Sequence, residues 1–304
     1  MSSPQTHSPN SDVHGYDAVQ DRPSPARYLR EVLDYPRLAW RHDSLLRNFF
    51  RREFLGRFRG SLLGGVWVLI HPFFLFATYY LVFGILFNMR DMPPSPMSYP
   101  LYLFIGILAW TAFIETTTRA VGLVVDNGNL IQKVAFPAQL LPLHLIAVNL
   151  IVYAVGVIVY MILALCTGWA LPGMSLLALP AVLVVQAIFT LGLSLLLAGG
   201  FVFMRDLAQI YPILATLWFF ATPVFWHPTL LTPESQALVA SVAWCNPMEH
   251  ILAGHRAALG VGFPLQTTGD AFMHSLHALP FALVMFVIGF LVFRSLQHRF
   301  ADEV

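Results

Sequence analysis

Hydrophobic positions along this chain gather into six long apolar blocks rather than into the short alternations of a water-soluble fold. The blocks cover residues 62–87, 100–121, 143–167, 176–203, 207–226 and 276–293, and charged side chains are nearly absent inside them. Runs of about 20 apolar residues match the hydrocarbon thickness of a bilayer at 1.5 Å per residue. The pattern predicts an all-α polytopic membrane protein with six transmembrane helices. The fifth block, about 30 Å long as a helix, crosses without tilt. The first is longer and holds Pro72, which predicts a tilt or kink after Ile70-His71. The sixth is the shortest, so its outer end is expected at headgroup level.

Composition sharpens that picture. The chain is 57% hydrophobic and only 11% charged, with a mean hydropathy of +0.68. Its basic residues set the orientation. With the N-terminus cytoplasmic, 15 of the 17 basic residues stay inside and only Arg90 and Arg256 fall outside, as the positive-inside rule requires. Both termini are therefore expected in the cytoplasm. The basic excess lies beside the membrane, so it points to lipid headgroups and not to nucleic acid. The expected division is a disordered cytoplasmic tail over 1–25, an interfacial amphipathic region over 26–61, a transmembrane domain over 62–293 and a cytoplasmic tail over 294–304. The first 25 residues are polar and rich in Ser, Pro and His, unlike a signal-peptide apolar region. Cys166 and Cys245 both fall toward the outer face, where a disulfide is chemically feasible and two plain thiols are the simpler expectation.

Several chemistries are missing. Lys133 is the only lysine and sits in IQKVAF without a glycine-rich loop before it, so nucleotide is not held in the P-loop manner. The H-E-x-x-H zinc pair and the G-x-S-x-G elbow are absent too. Glu115 alone among the acids lies well inside a block, which is too few for ion-coupled transport. Energy for any uphill movement is expected from a partner.

Several segments carry readable mechanics. Residues 44–59 form an amphipathic helix with Leu46, Phe50, Phe54 and Phe58 on one stripe and Arg47, Arg51, Arg52 and Arg57 around the rest. It is expected in the cytoplasmic headgroup layer, aromatic side down, either as an anchor or as a docking platform. Gly60 and Gly64 have small-xxx-small spacing. Residues 120–142 place a turn at Asp126–Asn129 and a short helix over Leu130–Val134, ended by Phe136-Pro137, suited to a groove on a partner.

The second block carries a polar stripe, in which Glu115 and Arg119 form an i,i+4 pair beside Thr111, Thr116, Thr117 and Thr118. An unpaired charge at mid-span would cost about 2.5–3.5 kcal/mol on insertion scales, so helix–helix glue and a lumen-facing stripe are the two readings. Aromatics crowd the first and fifth blocks, Tyr79, Tyr80 and Trp218 among them. Most suit lipid or the interfacial belt, and some suit a path on which sugars stack.

The outer segment 227–275 is too long for a turn. Thr232-Pro233 and Asn246-Pro247 predict two helices, about 233–243 and 247–259, with Glu249 closing a capping box on Asn246. Their apolar character suggests that they dip back into the outer leaflet. His250 and His255 stand five apart, on different helix faces, which argues against a metal pair.

The order of these landmarks resembles the ABC-2 family of transport permeases, in the branch exporting O-antigen, capsular and related polysaccharides. The pieces are RREFLGRFRGSLLGGVWVLIHP, NGNLIQKVAFPAQLLPL, MRDLAQIYPILATLWFFATPVFW and NPMEHILAGHRAALG, together covering roughly residues 44–295. The resemblance implies a homodimeric permease in the bacterial inner membrane, working with two copies of a separate ATPase that hold the ATP and Mg. This chain itself would carry no cofactor and do no catalysis. By the same resemblance, Asn127, Asn129, Leu130, Lys133, Phe136 and Pro137 form the element seated on the ATPase. Tyr79, Tyr80, Thr111, Glu115 and Trp218 are candidates for lining the channel. The outer helices, with Asn246, Pro247, Glu249 and Arg256, would gate it. A lipid-linked polysaccharide is the expected cargo. A small hydrophobic compound is the alternative, and a membrane glycosyltransferase or acyltransferase using Glu115 or the His250/His255 region is a competitor of another class.

Overall fold

A computed structural model describes residues 30–57, 59–88, 98–129, 137–167, 172–227, 232–261 and 268–303, and among them the regular structure is entirely helical. The 1–25 tail, Arg90 and the stretch from Leu130 to Phe136 lie outside the described residues. Two helices precede the first apolar block, α1 (Tyr35–Arg41) and α2 (Asp43–Gly56). The apolar blocks give α3 (Trp67–Tyr79), α4 (Ser98–Val121), α6 (Leu141–Thr167), α7 (Leu179–Phe203), α8 (Leu207–Ala221) and α11 (Thr268–Gln297). A single turn, α5 (Leu123–Asp126), follows α4. Helices α9 (Pro233–Trp244) and α10 (Pro247–Ala258) lie between α8 and α11, and α12 (Phe300–Glu303) ends the described chain.

Among the described residues, five stretches are long and apolar enough to cross a membrane: Gly64–Leu86, Tyr99–Val121, Ala138–Cys166, Met174–Phe203 and Thr268–Gln297. The fifth apolar block does not reach that length. Its helix α8 has 15 residues, or about 22 Å against about 30 Å of hydrocarbon, because the chain leaves helical geometry at Thr222, just before Pro223. The length expectation for the sixth block is also overturned. Helix α11 has 30 residues, since the polar first turns from Thr268 continue the helix that hydropathy alone started at residue 276. Pro72 does not end α3, which runs through it. The irregularity lies further on, where Tyr80–Leu86 widen into a π-helix.

Helices α7 and α11 form the most extensively packed pair, and glycine is the reason. A Cβ on Gly289 would meet the backbone of Gly192, and one on Gly192 would meet the backbone of Met285 and Phe286. The two main chains thus touch without intervening side chains, the close approach on which helix association in lipid depends. Gly60 and Gly64 have no such role. Both sit in the turn before α3 with φ of +77° and +51° and open space around them. They supply left-handed turn geometry rather than a packing seam.

Helix α4 fills the centre, with 67% of its apolar window buried, whereas the window running through α3 is only 12% buried. Phe73, Phe74, Leu81 and Leu86 on the first span, and Ile213, Leu214 and Leu217 on α8, remain exposed. This apolar surface needs lipid or another chain to cover it.

Candidate coupling and conduit site

Helix α2 forms as expected, but its anchoring differs from a free headgroup helix. Phe49, flanking the expected stripe, is the side chain that becomes buried. It stacks on His144 of α6 with ring centroids 5.4 Å apart. Phe50 and Phe54 stack on each other, and Phe58 lies outside the described residues. Of the four arginines, Arg47 is exposed and hydrogen-bonded to Asp43 at 2.8 and 2.6 Å, which holds that carboxyl below its ordinary range. Arg51 is exposed.

The other two arginines reach into the body. Arg52 donates to Asn127 Oδ1 at 2.9 Å. Arg57 donates to Asn149 Oδ1 at 2.7 Å and pairs with Glu115 at 3.1 Å. Between them Glu53 pairs with Arg119. The end of α2 and the turn after it are thereby fastened at three points to the arm formed by α4 and α5.

Glu115 and Arg119 therefore do not form the intrahelical pair expected from their spacing. Each finds a charge on another element, because Arg57 and Glu53 come close enough to compete with a local pair that is weak at best. His71 also approaches Glu115, at 3.5 Å. Of the expected partner-binding element, Asn127 caps α5 and is held by Arg52 and by its own bond to Leu123 O, 2.9 Å. Asn129 is exposed, and Pro137 precedes the short 3₁₀ turn Ala138–Leu140. Leu130, Lys133 and Phe136 lie outside the described residues.

Three of the five channel candidates come together. Tyr79, Thr111 and Glu115 line one cavity of about 320 Å³ between α3, α4 and α8, with Trp110, Thr216 and Phe219 in the same wall. Tyr80 and Trp218 do not line it. Tyr80 stacks on Phe76 at 5.7 Å. Trp218 turns toward Phe113 and Phe189 and donates its indole N–H to Asn246 Oδ1 at 2.9 Å.

At the other end of the molecule, Asn246 caps α10 by accepting from Met248 N at 3.1 Å, and Pro247 follows it at the first helical position. The capping box stays open. The Asn246 N–H is bonded to Ala243 O at 2.9 Å, and Glu249 Oε2 is buried without a partner. Asn246 does more than cap, since its amide nitrogen donates to Thr222 Oγ1 at 2.9 Å and ties α10 to the end of α8. His250 and His255 diverge. His250 contacts Trp244 O, while buried His255 bridges Tyr153 of α6 at 2.7 Å and Gln186 of α7. Both cysteines are free and exposed.

The least anticipated feature is the non-helical strap Thr222–Trp226. Main-chain carbonyls outside a helix need donors from the protein when water is scarce, and here each is supplied. Arg256 donates to Pro223 O at 2.9 Å and Val224 O at 2.8 Å, and to Tyr102 O at 3.2 Å, with its guanidinium 3.4 Å from the centroid of the Tyr102 ring. Tyr102 reaches Pro223 O and Trp226 O at 3.0 and 3.1 Å, and Tyr99 reaches Phe225 O at 2.9 Å. Gly106 leaves room for the arginine, since a Cβ there would collide with Arg256 and with Val224 O. Arg256, one of only two basic residues on the outer side of the charge pattern, was the one sequence signal of this arrangement.

A multi-pass helical protein with a polar cavity and a charged clamp at the arginine-rich end fits a membrane transport component. The chain belongs to the ABC-2 type transporter family, whose pattern matches residues 44–259. It is 32% identical over 233 residues to the O-antigen export system permease protein RfbA of Myxococcus xanthus, a match spanning 76% of this chain and 83% of that protein. Two proteins of the same description from Klebsiella pneumoniae are 24% and 23% identical over 248 and 254 residues, each match spanning 81% of this chain and 89% of the relative.

Proposed function

We propose that this chain is the membrane permease of an ATP-driven exporter that moves a lipid-linked O-antigen or related cell-surface polysaccharide across the bacterial inner membrane. In this reading two copies form the conduit, both termini are cytoplasmic, and two copies of a separate ATPase supply the force. The observation that carries it is the cavity lined by Tyr79, Thr111 and Glu115. Ring faces stack on the CH faces of sugars, while hydroxyls and one carboxylate take up sugar hydroxyl groups. The carboxylate and hydroxyls in that wall suit sugar hydroxyl groups better than a purely apolar cargo.

The three-point fastening of α2 to the α4–α5 arm supports the coupling half of the reading. Force applied near Asn127 is passed to α2 through Arg52 and to the cavity wall through Glu115. The names of the relatives support the cargo. The test is complementation: deleting the permease in its host removes surface polysaccharide, and the wild-type gene restores it only with a hydrolysis-competent ATPase partner. Export that persists with an ATPase lacking its catalytic carboxylate overturns the reading.

A further inference from the structure

His250 and His255 cannot share a metal ion, but His250 has other imidazoles beside it. Its ring lies 5.6 Å from that of His277 and 6.5 Å from that of His274, centroid to centroid. His274 and His277 are three apart on α11 and share a face. A glycine brings the two helices close at this point. A Cβ on Gly254, one turn beyond His250, would stand 3.6 Å from the Cβ of His274. Three histidines from two helices thus meet at the α10–α11 seam.

Their nitrogens are suited to act as ligands. His250 Nε2 faces Trp244 O at 3.1 Å. A carbonyl only accepts, so in the neutral ring Nε2 carries the hydrogen and Nδ1 keeps the lone pair. Metal-binding imidazoles are commonly oriented in this way, with the far N–H held by a main-chain carbonyl. His274 Nδ1 is buried without a hydrogen-bond partner, which costs stability unless something fills the position. His277 is exposed and has room to turn toward either ring. Asp270, one turn before His274, adds a negative charge on that face of α11. Among the described residues no three donors already converge on one point. The three rings are near to doing so. With nitrogens about 2.0–2.1 Å from a tetrahedral ion, imidazole centroids stand about 5 Å apart, so ring shifts of about 0.5–1.5 Å close the difference.

We infer that His250, His274 and His277 form a site for a divalent transition metal ion of the zinc class, which staples α10 to α11. Imidazoles suit zinc, copper or nickel, whereas magnesium and calcium take oxygen ligands. The ion enters from the surface, since exposed His277 lies at the edge of the apolar block, where the polar first turns of α11 end. The site is independent of the proposed cargo.

The test uses the full-length permease in lipid nanodiscs, purified without a histidine tag, with Cys166 and Cys245 changed to serine so that thiols do not compete. Zinc chloride is the probe, followed by titration calorimetry at neutral pH. Saturable binding is expected. His274→Asn and His277→Asn should each weaken it about tenfold or more, and His298→Asn, at the far end of α11, should leave it unchanged. Binding indifferent to the first two variants, or lost equally in the third, would overturn the site. Magnesium competing as well as zinc would overturn the imidazole assignment. Hydrogen exchange of α10 should slow when zinc is bound, and unchanged exchange would overturn the staple. Should a variant fold poorly, the unsubstituted histidines decide. Zinc should shield His274 and His277 from diethyl pyrocarbonate, read by peptide mass spectrometry, and undiminished modification refutes the site. Loss of the export reading would change none of these outcomes.

Discussion

Arg256 illustrates how one residue can be fixed by the backbone around it. Its guanidinium is buried and donates to three main-chain carbonyls, a geometry that needs the planar fork and not a point charge. Arg256→Lys should therefore destabilise, since each buried carbonyl left unpaired costs about 1–3 kcal/mol. Thermal unfolding in detergent should fall by roughly 5 °C or more, and an unchanged midpoint would refute the account. Gly106→Ala should act in the same direction by pushing the arginine out of place.

Glu249 gives a pH test nearby. Burial pushes its carboxyl up from about 4.5 to about 7, against the opposing charge of Arg256. The folded form therefore keeps a proton that the open form gives up. Stability of α10 should fall as pH rises from about 4.5 to about 7 and then level off. Hydrogen exchange of α10 amides reads this directly, and Glu249→Gln should flatten the profile.

Among the elements, α2 was legible in outline and misread in orientation. Its helical period is plain in the sequence, but which aromatic is buried depends on His144 of α6, almost a hundred residues away. The Glu115–Arg119 spacing misled for the same reason, because partners on α2 and in the turn after it win over a local pair. The ends of α9 and α10 were legible to within a residue, since proline at the first position of each helix is a local signal. The strap was not legible, because its donors Tyr99, Tyr102 and Arg256 come from distant helices. The clamp makes a charge-swap prediction. Arg119→Glu alone should impair polysaccharide export, and Glu53→Arg with Arg119→Glu should restore much of it. The coupling in stability should be about 0.2–1 kcal/mol for a pair this exposed. Equal impairment in the single and double variants would mean that Arg119 acts through something other than Glu53.

For the whole molecule, the contrast between buried α4 and α7 and the exposed α3 and α8 divides a packed body from a face that needs covering. The proposed homodimer would bury the α3 and α8 face. In a background with Cys166 and Cys245 changed to serine, Leu214→Cys or Leu217→Cys should cross-link two copies under mild oxidation. Cross-linking from Leu283→Cys on α11, and none from α8, would move the interface to the other side. Composition made the membrane home clear, yet hydropathy could not tell a covered face from a lipid-facing one, because lipid tails and leucine are equally apolar.

The strap at Thr222–Trp226 has a mechanical corollary. Three side chains from α4 and α10 satisfy four consecutive carbonyls, and Tyr102 and Arg256 each serve two of them. Losing Tyr102 or Arg256 loosens two carbonyls at once, so the segment resists small displacements and then releases as a set. Motion at this end of the permease should show a threshold, like a latch, and not the graded yielding of a spring.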